Sequence, residues 1–190
     1  MARWQPNARL RLVQAAIDLF GEQGYDSTTV AQIAERAGLT KTTFFRHFPD
    51  KCEVLFAGQE EHGRLLAEGA AAAAGTATPL EAVAAALDAL AASFTPEQRA
   101  FGPRLMRVID SDSELRERAA FKRLTLATTL ATALGERGVT EPTASLAAHL
   151  GAQAFSDAFA RWITPANDRP LSDLARESLD ALREATAALT

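Results

Sequence analysis

A single cysteine, Cys52, and only three histidines occur in the 190 residues. One cysteine excludes an intrachain disulfide framework and suits a reduced, cytoplasmic setting. His47, His62 and His149 stand in no metal-ligand spacing with a second histidine or cysteine, so neither a metal nor a cofactor is expected. There is no glycine-rich phosphate loop and no nucleophile elbow, and the carboxylates fall where helical surfaces carry charge; the chain does not read as an enzyme. No apolar run approaches the ~20 residues that cross a bilayer. The start, MARWQPNARLRLV, is basic without the apolar stretch of a signal peptide, so no membrane partner is expected.

What the chain does have is 47% hydrophobic residues, enough to build a core. The net charge of -4 is unevenly spread: up to Lys51 there are seven basic against five acidic residues, and beyond it 13 against 19. A mildly basic head on an acidic body suits a protein that touches DNA at one end.

Apolar spacing and cap residues predict helices throughout, about nine, and no strand alternation appears. Leu10, Val13, Ile17 and Phe20 mark a first helix over 7–23, with Arg3, Arg9 and Arg11 near its start as phosphate contacts or solvated charges. Pro49 and Asp50 make a turn, and a long helix is expected over 51–74, with Lys51 and Cys52 in its first turn. A small residue at a helix start is the favoured reading of Cys52, ahead of a redox sensor. Thr78-Pro79 and Thr95-Pro96 are cap-and-proline start signals for helices to about 93 and 109, the second interrupted near Gly102-Pro103. Further helices are expected over 113–134, 142–163 and 172–189.

The segment TTVAQIAERAGLTKTTFFRHFPDK, residues 28–51, has the pattern of two short helices meeting at Gly38. Thr28 or Thr29 caps the first, in which Val30, Ile33, Ala34 and Ala37 share a face; Thr40 caps the second. Phe44 and Phe48 point inward at i, i+4, leaving Lys41, Thr42, Thr43 and Arg46 outward. A helix-turn-helix needs this division, because its second helix must anchor on apolar residues while offering donors to phosphates and base edges.

In the last two helices, Ala147, Gly151, Ala154 and Ala158 form a small-residue stripe, and Leu171, Ala175, Ser178, Leu182, Ala185 and Leu189 a heptad-like seam. Both suit pairing with a second copy as a four-helix bundle, the alternative being that they face the chain's own core. The expected dimer interface is Ala147, Gly151, Ala154, Ala158, Ala175 and Leu182. Large apolar residues offer a ligand pocket: Phe101, Leu105, Phe121, Phe155, Phe159 and Trp162, from a wider set with Phe94, Met106 and Leu124. Arg104, Arg107 and Arg123 are candidate contacts for an anionic ligand.

The stretches AAIDLFGEQGYDSTTV and IAERAGLTKTTFFRHFPDK resemble the TetR family of bacterial transcriptional regulators, from Leu10 to Leu55. The resemblance implies an all-α fold: a three-helix head over residues 1–50 that binds DNA, and a helical body over 51–190 that senses a ligand and dimerises. It implies a homodimer on a palindromic operator, released as a repressor when a small hydrophobic or aromatic molecule changes the separation of the heads. By the same resemblance, Thr28 or Thr29 matches a phosphate-contacting cap, Thr40, Lys41, Thr42 and Thr43 the exposed recognition-helix positions, His47 a phosphate or base contact, and Lys51 a phosphate contact. Position 45 departs from the family: the usual tyrosine is Phe45, which packs against sugar or a thymine methyl but donates no hydrogen bond, and Arg46 takes over the charge. The rival reading is a helical scaffold or protein-interaction module with no DNA sequence preference.

Overall fold

The computed structural model describes residues 7–189, and Arg3 lies outside them. All regular elements among the described residues are helical: α1 (Ala8–Gln23), α2 (Val30–Arg36), α3 (Lys41–His47), a 3-10 helix (Glu53–Phe56), α4 (Gln59–Ala72), α5 (Pro79–Ala91), α6 (Pro96–Ser111), α7 (Ser113–Glu136), α8 (Thr143–Trp162) and α9 (Leu171–Ala187). The chain divides into two compact units, Met1–Gly58 with Phe101–Ala119, and Gln59–Ala100 with Ala120–Thr190. The first unit extends past residue 50 to Gly58 and also takes in parts of α6 and α7.

The first unit is built on one apolar cluster. Leu12, Ile17 and Phe20 of α1, Ile33 of α2, Phe44 and Phe48 at α3, and Val54 of the 3-10 helix are buried together with Phe101, Val108, Ile109 and Leu115. Residues 101–119 therefore supply part of the core of the head. Two ion pairs join the same segments, Arg104 to Asp18 at 2.8 Å and Arg118 to Glu53 at 3.6 Å. The first pair is exposed and contributes at most about 1 kcal/mol; the second is partly covered but longer, and burial of the apolar faces is what holds the unit.

Two expected elements come out differently. The helix foreseen over 51–74 is replaced by a turn, the 3-10 helix and α4, because Gly58 takes a left-handed φ of 100°, which interrupts the helical run. Lys51 and Cys52 consequently lie before the 3-10 helix, whose first N–H donates to Asp50 Oδ1 at 2.8 Å. Conversely, α6 runs unbroken through Pro103. Gly102 precedes that proline, and without a Cβ it avoids much of the clash that normally drives the residue before proline out of the helix.

In the second unit the small-residue stripe of α8 is internal. Ala147, Ala154 and Ala158 are buried, and a Cβ added at Gly151 would lie 2.6 Å from Val83 Cγ1 and 3.2 Å from Leu130 Cδ2. Ala175 is fully buried and Leu182 half-buried. The expectation that Ala147, Gly151, Ala154, Ala158 and Ala175 face a second copy is corrected: these residues let α5, α7 and α9 approach α8 within one chain. Leu182, near the exposed end of α9, is covered only in part.

An even closer approach joins α4 and α5. A Cβ at Gly69 would lie 2.7 Å from the Ala86 Cα and 2.9 Å from the Ala85 carbonyl oxygen, so the obstacle is backbone that cannot rotate aside. Replacing Gly69 by alanine is expected to destabilise the protein by about 1–3 kcal/mol despite alanine's better helix propensity. Thermal unfolding of Gly69→Ala, with helicity followed by circular dichroism, checks this; an unchanged or raised midpoint contradicts the packing described.

Candidate nucleic-acid interface

Construction of the interface begins at the caps of two seven-residue helices. Thr29 caps α2 in a reciprocal box: its Oγ1 accepts from the Gln32 N–H, and the Thr29 N–H donates to Gln32 Oε1 at 2.8 Å. Thr28 is the residue of the pair turned inward. It is 1% exposed, donates to the Gly24 carbonyl at 2.8 Å and accepts from Gln23 Nε2 at 3.1 Å. Its hydroxyl fastens the α1–α2 connection, and the phosphate-contact expectation for Thr28 is corrected on that ground.

The turn between α2 and α3 closes as a Schellman motif. Leu39 N–H bonds the Ala34 carbonyl and Gly38 N–H the Glu35 carbonyl, both at 2.8 Å, with Gly38 at a φ of 64°. Thr40 then caps α3, accepting from the Thr43 N–H at 3.1 Å. Thr40 and Thr43 hydroxyls are 3.0 Å apart, so the two share one hydrogen bond. Phe44 is fully buried and Phe48 nearly so, with ring centroids 5.6 Å apart. These two anchors orient the helix.

Lys41, Thr42, Phe45 and Arg46 consequently occupy the outer surface of α3, all exposed. Phe45 is 47% exposed, and the Lys41 ammonium lies 5.9 Å from its ring centroid. This is a basic face with one aromatic plate and one hydroxyl, the mixture that phosphate and thymine-methyl contacts require. His47 is half-buried, and its Nε2 is buried without a hydrogen-bond partner, so that nitrogen faces the chain.

Lys51 is placed differently from its expected role. Its ammonium donates to the Tyr25 carbonyl at 2.7 Å and sits 3.9 Å from the Tyr25 ring centroid. Tyr25 packs edge-on against Phe20 at 5.1 Å, and its hydroxyl donates toward Glu114 at 3.5 Å. Burial together with the acidic groups nearby pushes the Tyr25 phenol pKa upward. Lys51 thus clamps the α1–α2 connection through one of its three N–H donors, and it lies ahead of a 3-10 helix rather than at the start of a long α-helix. Among the α1 arginines, Arg9 lies over the Phe48 ring at 5.5 Å, and the Arg11 guanidinium donates to the Ala37 carbonyl.

The proposed pocket residues do not gather at one place. Phe101 and Leu105 belong to the core cluster of the first unit, and Phe121 is 60% exposed on α7. Phe155, Phe159 and Trp162 do meet in the second unit, around Phe94, whose centroid lies 5.5, 5.6 and 5.9 Å from theirs. His62 of α4 stacks on Phe94, 5.1 Å between centroids, a contact no local spacing announced. Beside Phe94 and Trp162 runs an open groove of about 610 Å³, bordered by Asp88, Leu171, Asp173 and Arg176. Arg104 is paired with Asp18 and therefore engaged in the first unit. No group of His, Cys, Asp and Glu among the described residues has the arrangement to hold a metal ion, and no described helix is long and apolar enough to cross a membrane.

Residues 12–57 match the family described as bacterial regulatory proteins, tetR family. Over this domain the chain is similar to the tetR regulators. The transcriptional regulator TcmR of Streptomyces glaucescens is 52% identical over 46 residues, 24% of this chain and 20% of TcmR. The transcriptional activator FasR of Mycolicibacterium smegmatis is 34% identical over 70 residues, 37% of this chain and 32% of FasR. Both matches span well under half of these relatives. Across the whole fold, the crystal structure of the transcriptional regulator FadR from Bacillus subtilis, in complex with stearoyl-CoA, is similar at a TM-score of 0.55 and 22% identity, covering 91% of this chain and 96% of that one. The helix-turn-helix is therefore similar to the tetR domain, and the all-helical fold is of the same kind as that of FadR.

Cys52 is 3% exposed, and burial raises its thiol pKa, so at neutral pH it holds less thiolate than a free cysteine. Alkylation by iodoacetamide at pH 7–8 is expected to be much slower than for a free thiol, accelerating once denaturant unfolds the first unit. Fast labelling of the folded protein would reinstate the redox-sensor reading.

Proposed function

We propose that the chain is a homodimeric repressor that binds a palindromic operator and is released by a small hydrophobic or aromatic ligand. The observation that carries this reading is the outer face of α3: Lys41, Thr42, Phe45 and Arg46 exposed together on a helix whose inner side is pinned by Phe44 and Phe48. One such helix spans too few base pairs for specificity, so two heads must act, about 34–36 Å apart to enter successive major grooves. A ligand that binds the mismatched separation better lowers operator affinity by its differential affinity for the two states.

The second copy docks on a face other than the buried stripe of α8. Leu146, 59% exposed on that helix, marks such a face. Support for an apolar or aromatic ligand comes from the cluster of Phe94, Phe155, Phe159 and Trp162 beside the groove. Stearoyl-CoA, which accompanies the Bacillus subtilis FadR, is a natural first probe.

An electrophoretic shift against DNA upstream of the chain's own coding sequence, at two salt concentrations, tests the reading. Sequence preference is expected at both; equal binding to any duplex would favour the scaffold reading. Lys41→Ala is expected to weaken operator binding about tenfold with helicity and oligomeric state unchanged. Light scattering at micromolar concentration should report a dimer, and a monomer would remove the two-head mechanism.

A further inference from the structure

We infer that Arg11 is a positioning residue for DNA reading: by holding the Ala37 carbonyl it sets the angle at which α3 leaves the helix-turn-helix turn. The inference rests on α3 being the reading helix.

The Schellman bonds of the turn use the carbonyls of Ala34 and Glu35. Ala37, the C-cap of α2, is 5% exposed, and its carbonyl receives the guanidinium of Arg11, which reaches across from α1. A cation at the carbonyl end of a helix also matches the helix dipole. The guanidinium also lies beside the next residue: a Cβ on Gly38 would be 2.8 Å from Arg11 Nη2. Only three residues, 38–40, separate the end of α2 from α3 after the Ala37 cap. With so short a connection, a rotation at Ala37 passes directly to α3, and the outer face carrying Lys41, Thr42 and Arg46 turns with it. A base contact is sensitive to such a rotation, because bidentate pairing tolerates little misalignment; contacts to the phosphates, repeated along the backbone, are much less sensitive.

Arg11 in the turn and Arg11 on a phosphate make opposite predictions. A phosphate contact supplies counterion release, so its loss lowers the salt slope by about 0.9 and weakens all sequences alike. A positioning residue leaves the slope and changes discrimination. The test uses the full-length protein, a duplex that it selects from a random library, and a scrambled duplex of equal length, with affinities measured over a salt series. Arg11→Met, which keeps the apolar stem and removes the donors, is expected to reduce the ratio of selected to scrambled affinity about tenfold, comparable to losing one base contact, with the salt slope unchanged. A merely structural role would lower the melting temperature and reduce both affinities together through the folded fraction, leaving the ratio intact.

A slope lowered by about 0.9 with the ratio preserved would show a phosphate contact and overturn the inference, as would an unchanged ratio. Should Arg11→Met fail to fold, Arg11→Lys serves with the same readouts: a shorter reach and a single ammonium are expected to lower the ratio to a lesser degree, whereas an unchanged ratio overturns the role. If the unaltered protein selects no sequence from the library, the reading of DNA by α3 itself fails, an outcome distinct from the failure of Arg11 alone.

Discussion

A helix of seven residues has no stability of its own in water, since nucleating the first turn costs more than so few hydrogen bonds return. α3 is such a helix, and so is α2. Everything that makes the first unit useful follows from how the chain compensates. Phe44 and Phe48 are sunk into a shared core, Thr40 and the Thr29–Gln32 box cap the helix starts, and the carbonyl end of α2 is closed by the Gly38 turn and Arg11. The outer residues of α3 are left with no structural duty. Lys41, Thr42, Phe45 and Arg46 are exposed because the inner face alone suffices to hold the helix.

The same constraint explains why the head is larger than three helices. A core of α1, α2 and α3 alone is small, and small cores are marginal. Phe101, Val108, Ile109 and Leu115 enlarge it, bringing in residues from α6 and α7.

Local chemistry was legible from the sequence wherever it sits within a few residues. The caps at Thr29, Thr40 and Thr78, the anchors Phe44 and Phe48, and the ends of most helices follow from short-range pattern. Gly58 is visible too, but a single glycine is compatible with either a helix interior or a break, so local pattern alone carries the helix of 51–74 through it. What long-range packing decides was not legible. Arg11, Thr28 and Lys51 are polar residues near the helix-turn-helix, and only the fold shows that each gives a donor to a carbonyl of its own chain, at Ala37, Gly24 and Tyr25. The stripe of small residues in α8 reads the same whether it meets another subunit or, as here, Val83 and Leu130 of its own chain. His62 and Phe94 lie 32 positions apart, and no periodicity could have stacked them.

The central claim is that two copies of α3 read DNA from the major groove. Methylation interference on a selected operator tests it most directly, because methylation at guanine N7 blocks that groove alone. The account predicts two patches of interference centred about 10–10.5 base pairs apart, symmetric about the operator's midpoint. A single patch, or interference confined to adenines methylated in the minor groove, would contradict it.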